Sequence, residues 1–318
     1  MAANASIQKS EALWFSPEVV ILRADTRVFR VFAAILKAQS SVFADMFTFP
    51  QPPSADMESI DGFPVVELHD KPEDVEVFLK AIFDSSFFAP PWAEIEYDHA
   101  LGILRLAHKY DVPFLRRRAL EHLNPALPTN LTAYNDRKGN NTVSFAALRV
   151  SRALATIPIA TEVGALWLLP VAYYDLCKQS AEQLIFDASW KDFGEKVQRA
   201  CLIGHAAQRN HLHKIYRFLS VVKKTGGSCA NPTKCNALCQ RMSLHPSLWT
   251  HNAYPLEVWS EDEWRRAADH GMCNNCVVES KAFHAAARQE FWDQLPQMFS
   301  LPGWAELEEM KRVALSVP

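Results

Sequence analysis

Five cysteines crowd the last third of this chain, and their spacing is the first place where residue type implies chemistry. Cys229, Cys235 and Cys239 stand in GGSCANPTKCNALC, and Cys273 and Cys276 form a C-x-x-C in GMCNNC. Two thiolates at that spacing take two corners of a tetrahedral zinc site with Zn–S bonds of about 2.3 Å, a second pair completing it from elsewhere. Cys229 and Cys235 are the pair proposed by the sequence, on a loop that Gly226, Gly227 and Pro232 turn tightly. Four sulfurs leave no open coordination position, so such a zinc is structural rather than catalytic. Reduced packing thiols are the competing reading, and Cys239, one turn beyond Cys235 in a predicted helix, is either a substitute ligand or a buried thiol. A thioredoxin-like use of the C-x-x-C conflicts with its helical surroundings.

Other chemistry is thinly signalled. His205, His211 and His213 share a predicted helix, but not at the three- or four-residue spacing that brings two imidazoles to one face. His245, His251, His270 and His284 lie nearer the cysteines and stay open as substitute ligands. The glycines form no dinucleotide or P-loop signature, and neither G-x-S-x-G nor H-E-x-x-H occurs. Acidic runs such as Glu261–Glu263 and Glu308–Glu309 read as helix starts or surface charge. Trp249, Trp259, Trp264, Trp292 and Trp304 read first as core anchors between long helices, and second as an aromatic pocket.

The elements that must position these residues belong to a globular chain. Its 318 residues are 49% apolar and 22% charged, enough for two domains with real cores. A formal charge of −3 gives no electrostatic footprint for nucleic acid, and Arg116, Arg117 and Arg118 read as a solvated helix face. No stretch approaches the roughly 20 apolar residues of a membrane span, and the N-terminus has no apolar signal core, so an intracellular chain of cytoplasm or nucleus is expected.

Strands are expected in EVVILRADTRVFRV (residues 18–31) and VVELHD (65–70), with a proline-rich loop, FPQPPSADMESIDGFP, between. Ile35, Leu36, Val42, Phe43, Met46 and Phe47 recur at helical spacing but are interrupted at Ser40 and Ser41, which predicts two short helices joined at a serine cap. KPEDVEVFLKAIFDSS predicts an amphipathic helix opened by Pro72, and two more follow over 98–110 and 113–123. The Pro/Asn/Gly-rich residues 125–141 read as a linker. Helices are then expected over 143–156, 161–177, 195–222, 274–298 and 305–313.

Read in order, FRVFAAILKAQSSVFADMF, VVELHDKPEDVEVFLKAIFDSSF and ILRLAHKYDVPFLRRRALEHL resemble a BTB/POZ domain, here residues 12–124. The rest, residues 142–315, is similar to the helical C-terminal region of a group of BTB-containing proteins of mushroom-forming fungi, in ALWLLPVAYYDL, MCNNC and FWDQLPQMFSLPGWAEL. The fold expected is thus an α+β BTB/POZ domain followed by an all-α domain. The resemblance implies a non-enzymatic protein-interaction module that self-associates as a homodimer or binds a cullin scaffold as a ubiquitin-ligase adaptor, or both. The alternative is an oligomeric structural or transcription-associated scaffold with no ligase link. Phe32, Ile35, Val42, Met46 and Phe47 are the expected partner-binding residues, and Phe32 stands where the family usually has a histidine.

Overall fold

The computed structural model describes Ser10 and residues 14–48, 58–89, 94–137, 150–186, 190–191, 193–222, 227–244 and 254–316. The chain forms two compact units, one of Met1–Leu123 and one built mainly of Asn124–Asn141 and Phe145–Ser316.

Among the described residues the first unit is a four-stranded sheet with five helices. Strands β1 (Val19–Ala24) and β2 (Arg27–Phe32) pair antiparallel around Asp25, whose positive φ of 50° suits a short turn. Strands β3 (Ser59–Ile60) and β4 (Phe63–Leu68) form a second hairpin, and β4 runs parallel to β1, giving the order β2-β1-β4-β3. The β3–β4 turn is Asp61-Gly62, both at positive φ, the dipeptide that tight hairpins favour. The residues around it were expected to be loop; residues 49–57 of that stretch lie outside the described residues.

Helices α1 (Ala33–Gln39) and α2 (Ser41–Thr48) meet at Ser40. Its Oγ accepts from the Phe43 N–H and donates to the Tyr110 carbonyl, so the interruption in the apolar pattern is a buried cap. Helix α3 (Pro72–Phe83) starts on Pro72 with acids in its first turn, and α4 (Tyr97–Lys109) and α5 (Pro113–Leu123) follow. Leu22, Leu36, Phe43, Val75, Ile103 and Leu104 are wholly out of water, and Phe43 stacks on Tyr110 at 4.6 Å. The Tyr110 hydroxyl donates to Asp70, which also accepts from Lys109 at 2.8 Å. Arg118 of the basic run donates to the Phe88 carbonyl, and Arg117 faces Glu121, so these cations serve local contacts.

The second unit is helical: α6 (Leu131–Asp136), α7 (Val150–Glu162), α8 (Leu169–Leu176), α9 (Ala181–Phe186), α10 (Glu195–Ile215), α11 (Pro232–Ser243), α12 (Glu261–Asp269), α13 (Asn274–Met298) and α14 (Trp304–Ser316). Several expectations are corrected here. Residues 125–137 of the expected linker belong to this unit, bury Ala126, Leu127 and Tyr134, and form α6 on an Asn130 cap, while residues 138–141 lie outside the described residues. Helix α7 runs through Pro158, and the chain breaks at Gly164, so no helix spans 161–177. Residues 143–149 of the expected 143–156 helix lie outside the described residues, and α10 ends at Ile215 rather than 222.

Helix α13 packs through Cys276, Ser280, His284, Arg288, Phe291 and Leu295, a seam of mixed polarity at three- and four-residue intervals. His284 lies among the rings of Tyr216, Phe218, Trp259 and Trp264, at 6.0–6.4 Å between centroids, and its Nε2 is buried with no hydrogen-bond partner among the described residues. Burial first and the nearby Arg288 second pull its pKa down to about 4. The unfolded chain therefore takes up a proton near pH 6.5 that the folded chain refuses until about pH 4. Stability from this site is complete above pH 6.5 and declines as pH falls through that window, by about 2–3 kcal/mol at its acid end. Denaturant titrations at pH 7 and pH 5, followed by tryptophan fluorescence, should show this loss, and His284→Gln should flatten it.

Candidate metal centre

The Sγ atoms of Cys229, Cys235, Cys273 and Cys276 all lie within 4.8 Å of one another. Cys229 and Cys273 are 3.9 Å apart, sulfur to sulfur. A disulfide needs about 2.05 Å, whereas the sulfurs of a tetrahedral zinc with bonds of about 2.3 Å stand about 3.8 Å apart. The four cysteines that the spacing singled out thus cluster within metal-binding distance. Cys239 is buried elsewhere in α11.

Two helix starts and one loop create this meeting point. Cys273 is the N-cap residue of α13, and Cys276 lies in its first turn. Cys235 sits in the first turn of α11, whose cap, Asn231, accepts from the Lys234 N–H at 3.1 Å and whose first residue is Pro232. Cys229 precedes α11 on irregular backbone. That loop is tied to α13 at two points: Ser228 Oγ donates to Glu279, and Asn275 Nδ2 donates to the Ser228 carbonyl. On the other side, α12 opens on a Ser260–Glu263 capping box and closes with the Met272 N–H on the Ala267 carbonyl. Gly271 makes that reversal at φ 113°, and the next two residues deliver Cys273 to the cluster.

The electrostatics differ from sulfur to sulfur. Burial pushes the Cys235 and Cys276 thiols up. At Cys273 burial has the same sense but is outweighed by the backbone N–H groups of Cys276 and Ala230, which lower it to about 6. The Cys273 N–H in turn donates to Cys235 Sγ at 3.3 Å. Backbone N–H groups thus point at the sulfurs of Cys235 and Cys273 as they would at thiolates, and a soft divalent cation would complete the charge balance of the four.

The histidines held open as substitutes fall otherwise. His270 is the exposed C-cap of α12 and is not part of the four-sulfur cluster, His284 is enclosed by aromatic rings, and His245 and His251 lie outside the described residues. Trp259, Trp264 and Trp292 are buried core, while Trp249 lies outside the described residues. The supporting residues Ser228, Asn275 and Glu279 were missed, since nothing local marks a side chain that braces a loop from another helix.

In the first unit, Phe32 ends β2 and is 53% exposed. Ile35, Val42, Met46 and Phe47 are half-buried on α1 and α2, around the fully buried Phe43. Phe47 stacks on Phe43 and has the Lys37 ammonium 5.8 Å from its ring centre.

Taken together, these features define a chain with an α+β module at its N-terminal end and a helical unit carrying a four-thiol centre. The module is a BTB/POZ domain: residues 9–126 match that family's model. BTB/POZ domains mediate contacts between proteins, and this chain carries one. Comparison with curated proteins and with solved structures found no match. Among the described residues no helix is long and apolar enough to cross a membrane.

Replacing Gly271 by Ala forces a side chain into a conformation that L-residues avoid, at a cost of about 1–3 kcal/mol. Urea denaturation of Gly271→Ala should show that loss, whereas Gly194→Ala, at a position with open space around it, should stay within about 0.5 kcal/mol.

Proposed function

We propose that this protein is a non-enzymatic adaptor whose BTB/POZ domain docks a second copy of itself or a cullin scaffold, while the helical unit holds the partner to be presented. The observation that carries the reading is the domain match over residues 9–126. Support comes from the apolar side chains left partly in water at Phe32, Ile35, Val42, Met46 and Phe47. The experiment is a titration of the full chain against a cullin N-terminal domain, with its mass in solution recorded in the same run. Saturable binding at micromolar affinity or better is expected, weakened at least tenfold, about 1.4 kcal/mol, by the pair Ile35→Asp and Met46→Asp. A folded protein that binds no cullin but self-associates would leave an oligomeric scaffold, and one that does neither would overturn the proposal.

The helical unit, on this reading, is braced by one structural zinc held by Cys229, Cys235, Cys273 and Cys276. The distances among the sulfurs support this. A closed set of four thiolates gives the metal no position for substrate. Its contribution is to folding, joining the start of α11 to the start of α13. Metal analysis of the purified protein should give about one zinc per chain, and a strong chelator should lower the melting temperature of the helical unit. No zinc, with melting unchanged by chelation, would remove the metal.

A further inference from the structure

The four sulfurs are not equivalent. Cys235 and Cys276 are sealed, at 0% exposure, whereas Cys229 and Cys273 both reach solvent. The two outer sulfurs also face each other, 3.9 Å apart. Their backbones differ as well, Cys273 being fixed as the N-cap of a 25-residue helix and Cys229 standing on irregular chain. A small polar oxidant arriving from water meets this pair first.

We propose that Cys229 and Cys273 form a site of oxidative modification by hydroperoxides, at which disulfide formation expels the metal. The inference rests on the zinc reading above. The Cys229 thiolate attacks a peroxide oxygen, the O–O bond breaks, and a sulfenic acid and hydroxide result. The Cys273 thiolate then attacks that sulfur, the S–S bond forms and a second hydroxide leaves. Two thiolates lose two electrons, one hydrogen peroxide is reduced, and two protons turn the hydroxides into water. Cys235 and Cys276 alone are half a coordination shell, so they take up two further protons and Zn²⁺ departs. Closing the sulfurs from 3.9 Å to about 2.05 Å needs an approach of about 2 Å, which the loop of Cys229 supplies while α13 keeps its first turn. The sealed position of Cys276 disfavours the competing disulfide within the C-x-x-C.

The test uses the full chain as purified, with zinc content measured before any oxidant is added. Hydrogen peroxide is then titrated in the presence of a chromogenic zinc indicator, and disulfides are mapped by mass spectrometry of unreduced peptides. The expected result is stoichiometric zinc release together with a Cys229–Cys273 crosslink, both reversed by dithiothreitol and added zinc. Zinc retained under excess peroxide, or released with the crosslink at Cys273–Cys276, would overturn the proposal. A preparation without zinc at the outset overturns the metal reading and this one with it, and is recognised before peroxide enters.

Discussion

The carboxylate of Asp175, almost wholly out of water, is the point on which the helical unit turns. Alone, a buried carboxylate would be protonated, and burial does push Asp175 up. Lys178 and Arg137 outweigh it and hold the group below the usual carboxylate range. Arg137 meets it with two nitrogens, at 2.7 and 3.0 Å, and Lys178 adds a third bond at 2.8 Å. Removing one partner from a set this deep would strand a charge, at about 3–5 kcal/mol. Arg137 immediately follows α6 and Asp175 belongs to α8, so the pair fastens the stretch after the BTB/POZ domain onto the helices.

Further polar bonds extend from that pair toward the cysteine cluster. Tyr174, beside Asp175, accepts from the Leu256 N–H at 3.0 Å, and the Tyr254 hydroxyl donates to the Lys178 carbonyl. The Leu256 carbonyl accepts from Arg288 of α13, whose guanidinium also donates to Asn135 of α6. Helix α13 is thus held near its middle by hydrogen bonds and at its start by the cysteines, while Trp292 near its end stacks on Trp304 at 4.9 Å. The bonds of Arg288 and the ring packing around His284 fix the position of this helix, while Ser280 Oγ and His284 Nε2 on the same seam have no hydrogen-bond partner among the described residues.

What was legible in the sequence was local. Ser40 as a cap, Pro72 as a helix start and the bounds of α13 all follow from signals within a few residues of the event they control. The quartet was legible because cysteine is a narrow choice of ligand, and a C-x-x-C asks for a second pair. The Asp61-Gly62 hairpin carried its own signal, masked by the prolines before it. Residues 125–137 looked like part of a linker because their composition is that of a loop; Arg137 among them is fastened by Asp175, 38 residues further on, which no window of local pattern contains. Pro158 misled for the opposite reason, since α7 continues through a residue that ordinarily ends a helix.

The parallel pairing of β1 with β4 sets an order of events during synthesis. Ile21 takes Val65 as its partner, and Ala24 takes Leu68. A hairpin can close as soon as its second strand emerges, so β1 and β2 have each other early. The other edge of β1 has to wait until some forty further residues have left the ribosome, with Val20, Ile21 and Leu22 unburied in the meantime. For that interval the nascent chain displays an apolar strand with a free edge, the feature that chaperones bind and that neighbouring nascent chains can pair with.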